Sequence, residues 1–193
     1  MPDTEFDKEL ISSNLLGAKT LLELQEKEKI VTHAKMVVLL ENPIEGRLDY
    51  GHLKAIHYFL FSEVYTWAGK DRHEANITAV FGKGTTHFTA YKRIPNVSRL
   101  LFGALKNEEY FKGQSRREFA KSSAIFMNGL NILHPFREGN GRVQRLFMEY
   151  LANHSGFELD FSEISSEEMI LASVKGARGE LRQMEDIFMK SLH

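Results

Sequence analysis

Cysteine is absent from the 193-residue chain, and proline and tryptophan are scarce, with 4 and 1 residues. Without cysteine, the chain cannot form a disulfide framework, a thiolate metal site or a cysteine nucleophile. No apolar run approaches the roughly 20 residues that a transmembrane helix needs. The segment 1–10 is polar and acidic, unlike a secretory signal. We therefore expect a protein of a reducing compartment with no membrane anchor.

A dominant charge is also missing, because 25 Lys and Arg face 26 Asp and Glu for a formal net charge of -1. The composition therefore gives no indication of direct binding to nucleic acid or to a membrane surface. Apolar residues make up 42% and charged residues 26%, as in ordinary globular proteins. The chain contains no internal repeat and no low-complexity linker. A single domain is expected, large enough to bury about 70% of its unfolded surface.

Helical patterns fill most of the chain, so we expect an all-α fold. Asp49 is predicted to cap one helix, and Ser115–Glu118 and Ser165–Glu168 have the spacing of capping boxes. The predicted helices cover about 4–16, 18–40, 50–64, 94–105, 115–133, 142–155, 165–175 and 181–192. The charged run Glu23–Lys29 is predicted to be a solvated face. His57 falls on an apolar stripe, which favours a hydrogen-bonded core histidine over a catalytic one.

One segment departs from the helical pattern. Asn76–Phe81 and Thr85–Thr89 are rich in β-branched and aromatic residues, and Gly82-Lys83-Gly84 lies between them. This arrangement predicts a β-hairpin with a glycine-bearing turn. An isolated hairpin is marginally stable in water, so it should pack on the helices, act as a mobile flap or pair with an extended partner.

The stretch His134–Arg145 carries the strongest chemical signal. Gly139, Asn140 and Gly141 tolerate positive φ, and three such residues before a helix predict converging backbone N–H groups that bind an anion. Arg142 and Arg145 are three residues apart on the emerging helix, so both can reach a chain of phosphates.

Glu138 and His134 refine the prediction. A carboxylate repels phosphates unless a divalent cation lies between them, and magnesium favours one or two carboxylates plus phosphate oxygens. The motif therefore predicts Mg²⁺ with a nucleoside triphosphate. His134 precedes Pro135, which disfavours helical angles and should place the imidazole at the mouth of the loop, outside the helical hydrogen-bond ladder. Its predicted role is general base for an attacking hydroxyl.

Every fixed position of His134–Arg145 matches the signature His-Pro-Phe-x-(Asp/Glu)-Gly-Asn-Gly-Arg-x-x-Arg, and the chain resembles the Fic family. The likeness extends to Asn14–Gly17, to Ile56–Arg72 before the hairpin, and to Ile170–Phe188, which is similar to the C-terminal helices of Bartonella-type members. The resemblance implies a Fic-fold helical bundle in a single domain, 1–193, with its core at about 49–160 and a small β-hairpin flap at about 76–89.

The family transfers AMP from ATP to a Ser, Thr or Tyr hydroxyl of a target protein and releases pyrophosphate. The resemblance makes His134 the base and Glu138 the magnesium ligand. It assigns nucleotide binding to Arg137, Glu138, Gly139, Asn140, Gly141, Arg142 and Arg145. Of these, Arg142 would hold the β-phosphate and Arg145 the γ-phosphate. It assigns target docking by strand addition to Thr78, Val80, Thr86, His87 and Phe88.

Many Fic proteins are silenced by a helix with the pattern (Ser/Thr)-x-x-x-Glu-(Gly/Asn). Here Ser12–Gly17 has the right ends, but Leu16 replaces the glutamate, and Glu41-Asn42 and Glu45-Gly46 lack the Ser or Thr. The resemblance therefore implies a separate antitoxin that supplies an inhibitory glutamate helix. It implies action in the bacterial cytoplasm or, alternatively, secretion into a host cell as an effector.

Two alternatives stay open. The same fold supports UMP, GMP, phosphocholine or phosphoryl transfer, although Doc-like kinases carry lysine at the position of Gly141 and the phosphocholine type usually carries alanine at that of Gly139. A non-enzymatic binding module would show damage to the motif, and none is visible.

Overall fold

The structure is a computed structural model that describes residues 5–79, 82–83 and 86–193. Eight α-helices carry most of the described residues, so the predicted all-α class is confirmed. The helices are α1 Glu5–Ser13, α2 Leu21–Glu41, α3 Tyr50–Phe61, α4 Ile94–Asn107, α5 Arg116–Leu133, α6 Asn140–His154, α7 Ser166–Gly176 and α8 Arg182–Ser191. Single 3₁₀ turns occupy Tyr91–Arg93 and Glu109–Phe111. None of the described helices is both long and apolar enough to cross a membrane.

Polar caps determine where several helices begin. Asp49 Oδ1 accepts the backbone N–H of His52 at 2.9 Å, which starts α3. Ser115 and Ser165 each head a capping box with the glutamate three residues later. All three predicted caps are confirmed, and each stabilises its helix by about 1 kcal/mol.

Helix α5 lies at the centre of the bundle, where it contacts α4, α6, α7 and α8, while α3 packs on α6. Phe119 and Met127 of α5 and Phe147 of α6 are among the buried side chains of this core. Because α5 and α6 are consecutive and pack together, the core holds the loop between them, residues 134–139, from both ends. That loop begins the motif predicted to carry the chemistry.

The sheet is smaller than the predicted hairpin and lies in a different position. Strands β1 Gly82–Lys83 and β2 Thr86–His87 are antiparallel. The register pairs are Gly82 with His87 and Lys83 with Thr86. The prediction of 82–84 as the turn is therefore wrong, because Gly82 and Lys83 form strand β1. Asn76 has φ 52 and belongs to a turn, so the extended segment does not start there. Residues 80, 81, 84 and 85, and with them the predicted docking residue Val80, lie outside the described residues.

Candidate active site

His134 lies at the C-terminal end of α5, with φ 42 and ψ 60. The predicted departure from right-handed helical angles is confirmed. Its backbone N–H still donates to the Leu130 carbonyl at 2.9 Å, so the prediction that it lies outside the helical ladder is wrong. Left-handed backbone is costly for a residue with a side chain and persists where the surroundings enforce it. Pro135 prevents α5 from continuing, and the imidazole is left half-buried at the edge of a cavity.

Arg72 helps to hold His134 in its left-handed backbone conformation. The side chain is 1% exposed, and its Nε donates to the His134 carbonyl at 2.9 Å. Its Nη2 donates to the Thr89 carbonyl at 2.7 Å and to the Leu133 carbonyl at 3.3 Å. The Arg72 backbone N–H donates to the Pro135 carbonyl at 2.7 Å. Burial lowers the pKa of Arg72 to about 10, so it stays charged at neutral pH. The sequence does not predict a role for Arg72, because the carbonyls of Leu133 and His134 that it binds are 61 and 62 residues away along the chain.

The loop closes through the amide of Asn140. Its Oδ1 accepts the Phe136 N–H at 2.9 Å, and its Nδ2 donates to the Phe136 carbonyl at 2.8 Å. Helix α6 therefore begins at Asn140, and of the three predicted residues Gly139 alone has a positive φ, 80. The predicted three-residue nest is wrong, since Asn140 and Gly141 lie in the first helical turn. The groups that could bind an anion are instead the backbone N–H groups of the first turn of α6.

His57 lies beneath the loop. Its Nδ1 accepts the Gly69 N–H at 2.9 Å, and its Nε2 donates to the Glu138 carbonyl at 3.2 Å. The ring is buried and stacks on Phe136 with centroids 3.9 Å apart. Burial lowers the pKa of His57 to about 3, so the imidazole is neutral. Its predicted role as a hydrogen-bonded core histidine is confirmed.

Glu138 is the carboxylate that faces the cavity. Its side chain is 43% exposed, and its Oε1 accepts the Gly139 N–H at 2.8 Å. The described residues contain no group of three or more His, Asp or Glu side chains that could hold a metal by themselves. A single carboxylate at an anion-binding helix end nevertheless fits magnesium that is held mainly by phosphate oxygens. Glu138 therefore suits a metal that arrives with a nucleotide.

The two arginines of α6 have different surroundings. Arg142 Nη2 donates to Glu28 Oε1 at 2.5 Å and lies 3.5 Å from Glu138 Oε1. Arg145 makes no hydrogen bond or ion pair within the part of the chain that the structure describes. Its pKa is lowered by burial and then by the charge of Arg142, against the opposing charge of Glu149. Arg145 is therefore a cation available to a ligand. Arg137, from the loop, is buried, with its Nε 3.6 Å from Glu9 Oε2.

Glu28 is a site residue that sequence reasoning missed. The charged run Glu23–Lys29 was predicted to be solvated, but Glu28 is 8% exposed and this part of the prediction is wrong. It lies four residues after Leu24 and four before Thr32, both buried. That i, i+4 spacing places Glu28 on the core side of α2, and it is the sequence feature from which the burial of Glu28 could have been predicted.

A cavity of about 420 Å³ gathers most of the predicted residues. Its polar end is lined by His134, Arg137, Glu138, Asn140, Gly141, Gln144 and Arg145. The part lined by α5 and α7 is mainly apolar, with Met127, Ile132, Met169, Ile170 and Val174 beside the polar residues Asn131, Ser166 and Ser173. Gly139 and Arg142 are not among the lining residues. The cavity thus combines phosphate-binding groups with a mainly apolar compartment of the kind that ligand sites use.

The segment around β2 borders this cavity. Gly82 and Phe88 line it, and the ring of Phe88 stacks on the imidazole of His134. Thr78 and His87 are exposed, and only the backbone of Thr86 is described. Phe88 was predicted to dock a target, yet its ring contacts the predicted base.

Comparisons with known proteins agree with this geometry. A model of the Fic/DOC family matches residues 47–152. The chain is 33% identical over 179 residues to protein adenylyltransferase VbhT of Bartonella schoenbuchensis. The alignment covers 93% of this chain and 36% of that protein, so the chain spans about a third of that relative's length.

Two solved structures share the predicted helical bundle. One is the N-terminal Fic domain of a VirB-translocated Bep effector protein of Bartonella quintana with bound ADP, with a TM-score of 0.88, 32% identity and coverage of 93% of this chain and 89% of that one. The other is the BepC protein of Bartonella tribocorum with bound AMPPNP, with a TM-score of 0.84, 28% identity and coverage of 93% and 91%. The predicted Fic-fold helical bundle is therefore confirmed.

Proposed function

Since the chain belongs to the Fic/DOC family, we propose that it is a protein adenylyltransferase that transfers AMP from ATP to a hydroxyl of a target protein. The observation that carries the proposal is the single cavity in which His134, Glu138 and Arg145 meet the N-terminus of α6. Residues 1–193 are taken as one Fic domain with its core at about 49–160.

The cavity supports a specific orientation of ATP. The phosphates suit the polar end, where the N–H groups of the first turn of α6 and the Arg145 guanidinium provide hydrogen bonds and positive charge. The nucleoside suits the mainly apolar part between α5 and α7. Bound ADP and bound AMPPNP in the two Bartonella structures are consistent with a nucleotide here.

Glu138 would hold Mg²⁺, which neutralises the developing charge on the phosphates when it is bound. His134 would accept the proton of the target hydroxyl as its oxygen attacks the α-phosphorus. The bond from that phosphorus to the α–β bridging oxygen breaks, and pyrophosphate leaves. Arg145 would stabilise the leaving pyrophosphate, and Arg72 and Phe88 hold His134 in place.

Target docking is proposed for the flap. A short exposed strand can pair its free backbone groups with an extended peptide. The exposure of Thr78 and His87 supports a solvent-facing edge, to which Val80 and Thr86 would add. Phe88 contributes from the inner side, against His134.

A separate antitoxin is proposed as the regulatory partner. Arg145 has no ion-pair partner within the described ranges 5–79, 82–83 and 86–193, so a glutamate on a partner helix can reach it. Such a carboxylate would compete with phosphate for the same guanidinium. The expected compartment is the bacterial cytoplasm, with delivery into a host cell as the alternative.

The test uses the purified chain, Mg²⁺ and bacterial lysate. ATP labelled at the α-phosphorus should label a protein band, whereas ATP labelled at the γ-phosphorus should not, since AMP rather than phosphate is transferred. His134→Ala should abolish labelling, and His33→Ala, an exposed histidine on α2, should not. Transfer of the γ-label would indicate a kinase. Labelling that persists in His134→Ala would refute the general-base role.

A further inference from the structure

Glu28 lies on the buried side of α2, while Glu26 and Lys29 in the same charged run are exposed. Its Oε2 accepts the Tyr65 hydroxyl, and its Oε1 accepts Arg142 Nη2 at 2.5 Å. A buried carboxylate is costly unless it is paired and hydrogen-bonded, and here both oxygens have a partner. Glu28 therefore forms an ion pair with Arg142 on the buried side of α2.

Arg142 connects this buried carboxylate to the carboxylate that faces the cavity. The same Nη2 lies 2.5 Å from Glu28 and 3.5 Å from Glu138. Its Nη1 donates to Thr32 Oγ1 at 3.2 Å, and the guanidinium lies 4.8 Å from the centroid of the Phe61 ring. The shorter and stronger contact is with Glu28, so the charge of Arg142 is directed away from Glu138 and the cavity.

We infer that Glu28 is a positioning residue that neutralises Arg142 and so leaves Glu138 available to Mg²⁺. The inference rests on the magnesium–nucleotide site proposed above. The carboxylates of Glu28 and Glu138 share the one positive charge of Arg142, and Arg137 from the loop adds positive charge near Glu138.

Removal of the Glu28 charge changes this balance. Arg142 and Glu138 then form a neutral pair, and Mg²⁺ must displace the guanidinium to reach the carboxylate. When no metal is present, the same guanidinium, without its buried partner, can be shared between Glu138 and the phosphate oxygens of the nucleotide. Magnesium-dependent nucleotide binding should therefore weaken, and magnesium-free binding should strengthen.

Calorimetric titration with ADP, in Mg²⁺ and in EDTA, measures both dissociation constants on the purified chain. In Glu28→Gln, we expect the constant in Mg²⁺ to rise about tenfold, the response typical of a lost outer-shell partner, and the constant in EDTA to fall. A loss of folded protein would instead lower the fitted stoichiometry in both titrations. Glu26→Gln makes the same substitution on the exposed side of α2 and should change neither.

A second pair of variants covers the case in which Glu28→Gln does not fold, since that variant leaves Arg142 without its buried partner. Arg142→Gln is compared with the double variant Glu28→Gln/Arg142→Gln, in which both charges are removed. For each variant, the ADP dissociation constant in EDTA is divided by the one in Mg²⁺. Because Glu28 acts through Arg142, this ratio should be the same in the two variants. A tenfold difference between these ratios would overturn the inference.

Constants that move in the same direction in folded Glu28→Gln would also overturn it, as would wild-type binding of ADP that is independent of Mg²⁺. None of these outcomes decides AMP transfer, which the labelling assay tests separately.

Discussion

The phenyl ring of Phe88 lies parallel to the imidazole of His134, with centroids 3.7 Å apart and planes 2° apart. Phe88 directly follows β2, so the end of this strand contacts the proposed general base. The stack covers one face of the imidazole and limits its rotation. The orientation of the base is therefore set from two sides, by the flap at the ring and by Arg72 at the backbone.

Replacing Phe88 tests whether this stack positions the base. Phe88→Ala should lower the initial rate of target labelling at saturating ATP by about two- to tenfold, because an aromatic pair contributes about 0.5–1.5 kcal/mol. Phe88→Tyr keeps the ring and should retain most of the rate. Equal rates for wild type and Phe88→Ala, or equal losses in the two variants, would contradict the positioning role.

Arg72 should be needed for stability as well as for the geometry of His134. Arg72→Met removes the donors to three backbone carbonyls, and we expect the free energy of unfolding to fall by about 3 kcal/mol. Urea denaturation followed by circular dichroism measures this loss. Arg93→Met, at an exposed arginine, is the matched control and should be close to wild type. If both variants lose the same stability, the carbonyl contacts of Arg72 are not what stabilises the loop.

The helix starts and the central motif could be predicted because their determinants are local. The caps at Asp49, Ser115 and Ser165 each act on a residue three positions later. The motif is likewise one contiguous stretch, His134–Arg145, so its residue types reveal its chemistry without knowledge of the fold.

The contacts that hold the motif could not be predicted in the same way. Glu28 and Arg142 are 114 positions apart, and Arg72 and His134 are 62 apart, so only the packed helices bring each pair together. The start of α6 was missed for a different reason. Asn140 tolerates positive φ but does not require it, and its amide is used to close the loop on Phe136.

The two glycines of the motif should respond differently to alanine. Gly139 has φ 80, and an added Cβ would lie 2.3 Å from the Phe61 ring, so Gly139→Ala should lower the free energy of unfolding by about 2 kcal/mol or more. Gly141 lies in the first turn of α6, where an added Cβ would meet only Arg145 Nη1 at 3.5 Å. Gly141→Ala should therefore keep its stability but bind ADP more weakly, since its methyl group enters the cavity. Thermal unfolding and ADP titration separate the two effects, and equal stability of both variants would contradict the steric argument.

Glu149, one turn after Arg145 on α6, should make stability depend on pH. Burial raises its pKa to about 7, opposed by the charge of Arg145 and reinforced by that of Asp160. The folded protein therefore holds a proton that the unfolded chain releases at its ordinary pKa of 4.5. The resulting stabilisation is complete below that ordinary value and is lost as the pH rises through the folded pKa.

Glu149→Gln stays neutral throughout this range. Relative to this variant, the wild-type free energy of unfolding should fall by about 1–3 kcal/mol between about pH 5 and about pH 8. Urea titrations at both pH values measure the difference, and Glu163→Gln, at an exposed carboxylate, should follow the wild type at each. A difference between wild type and Glu149→Gln that is the same at both pH values would show that Glu149 is ionised in the folded protein at both pH values.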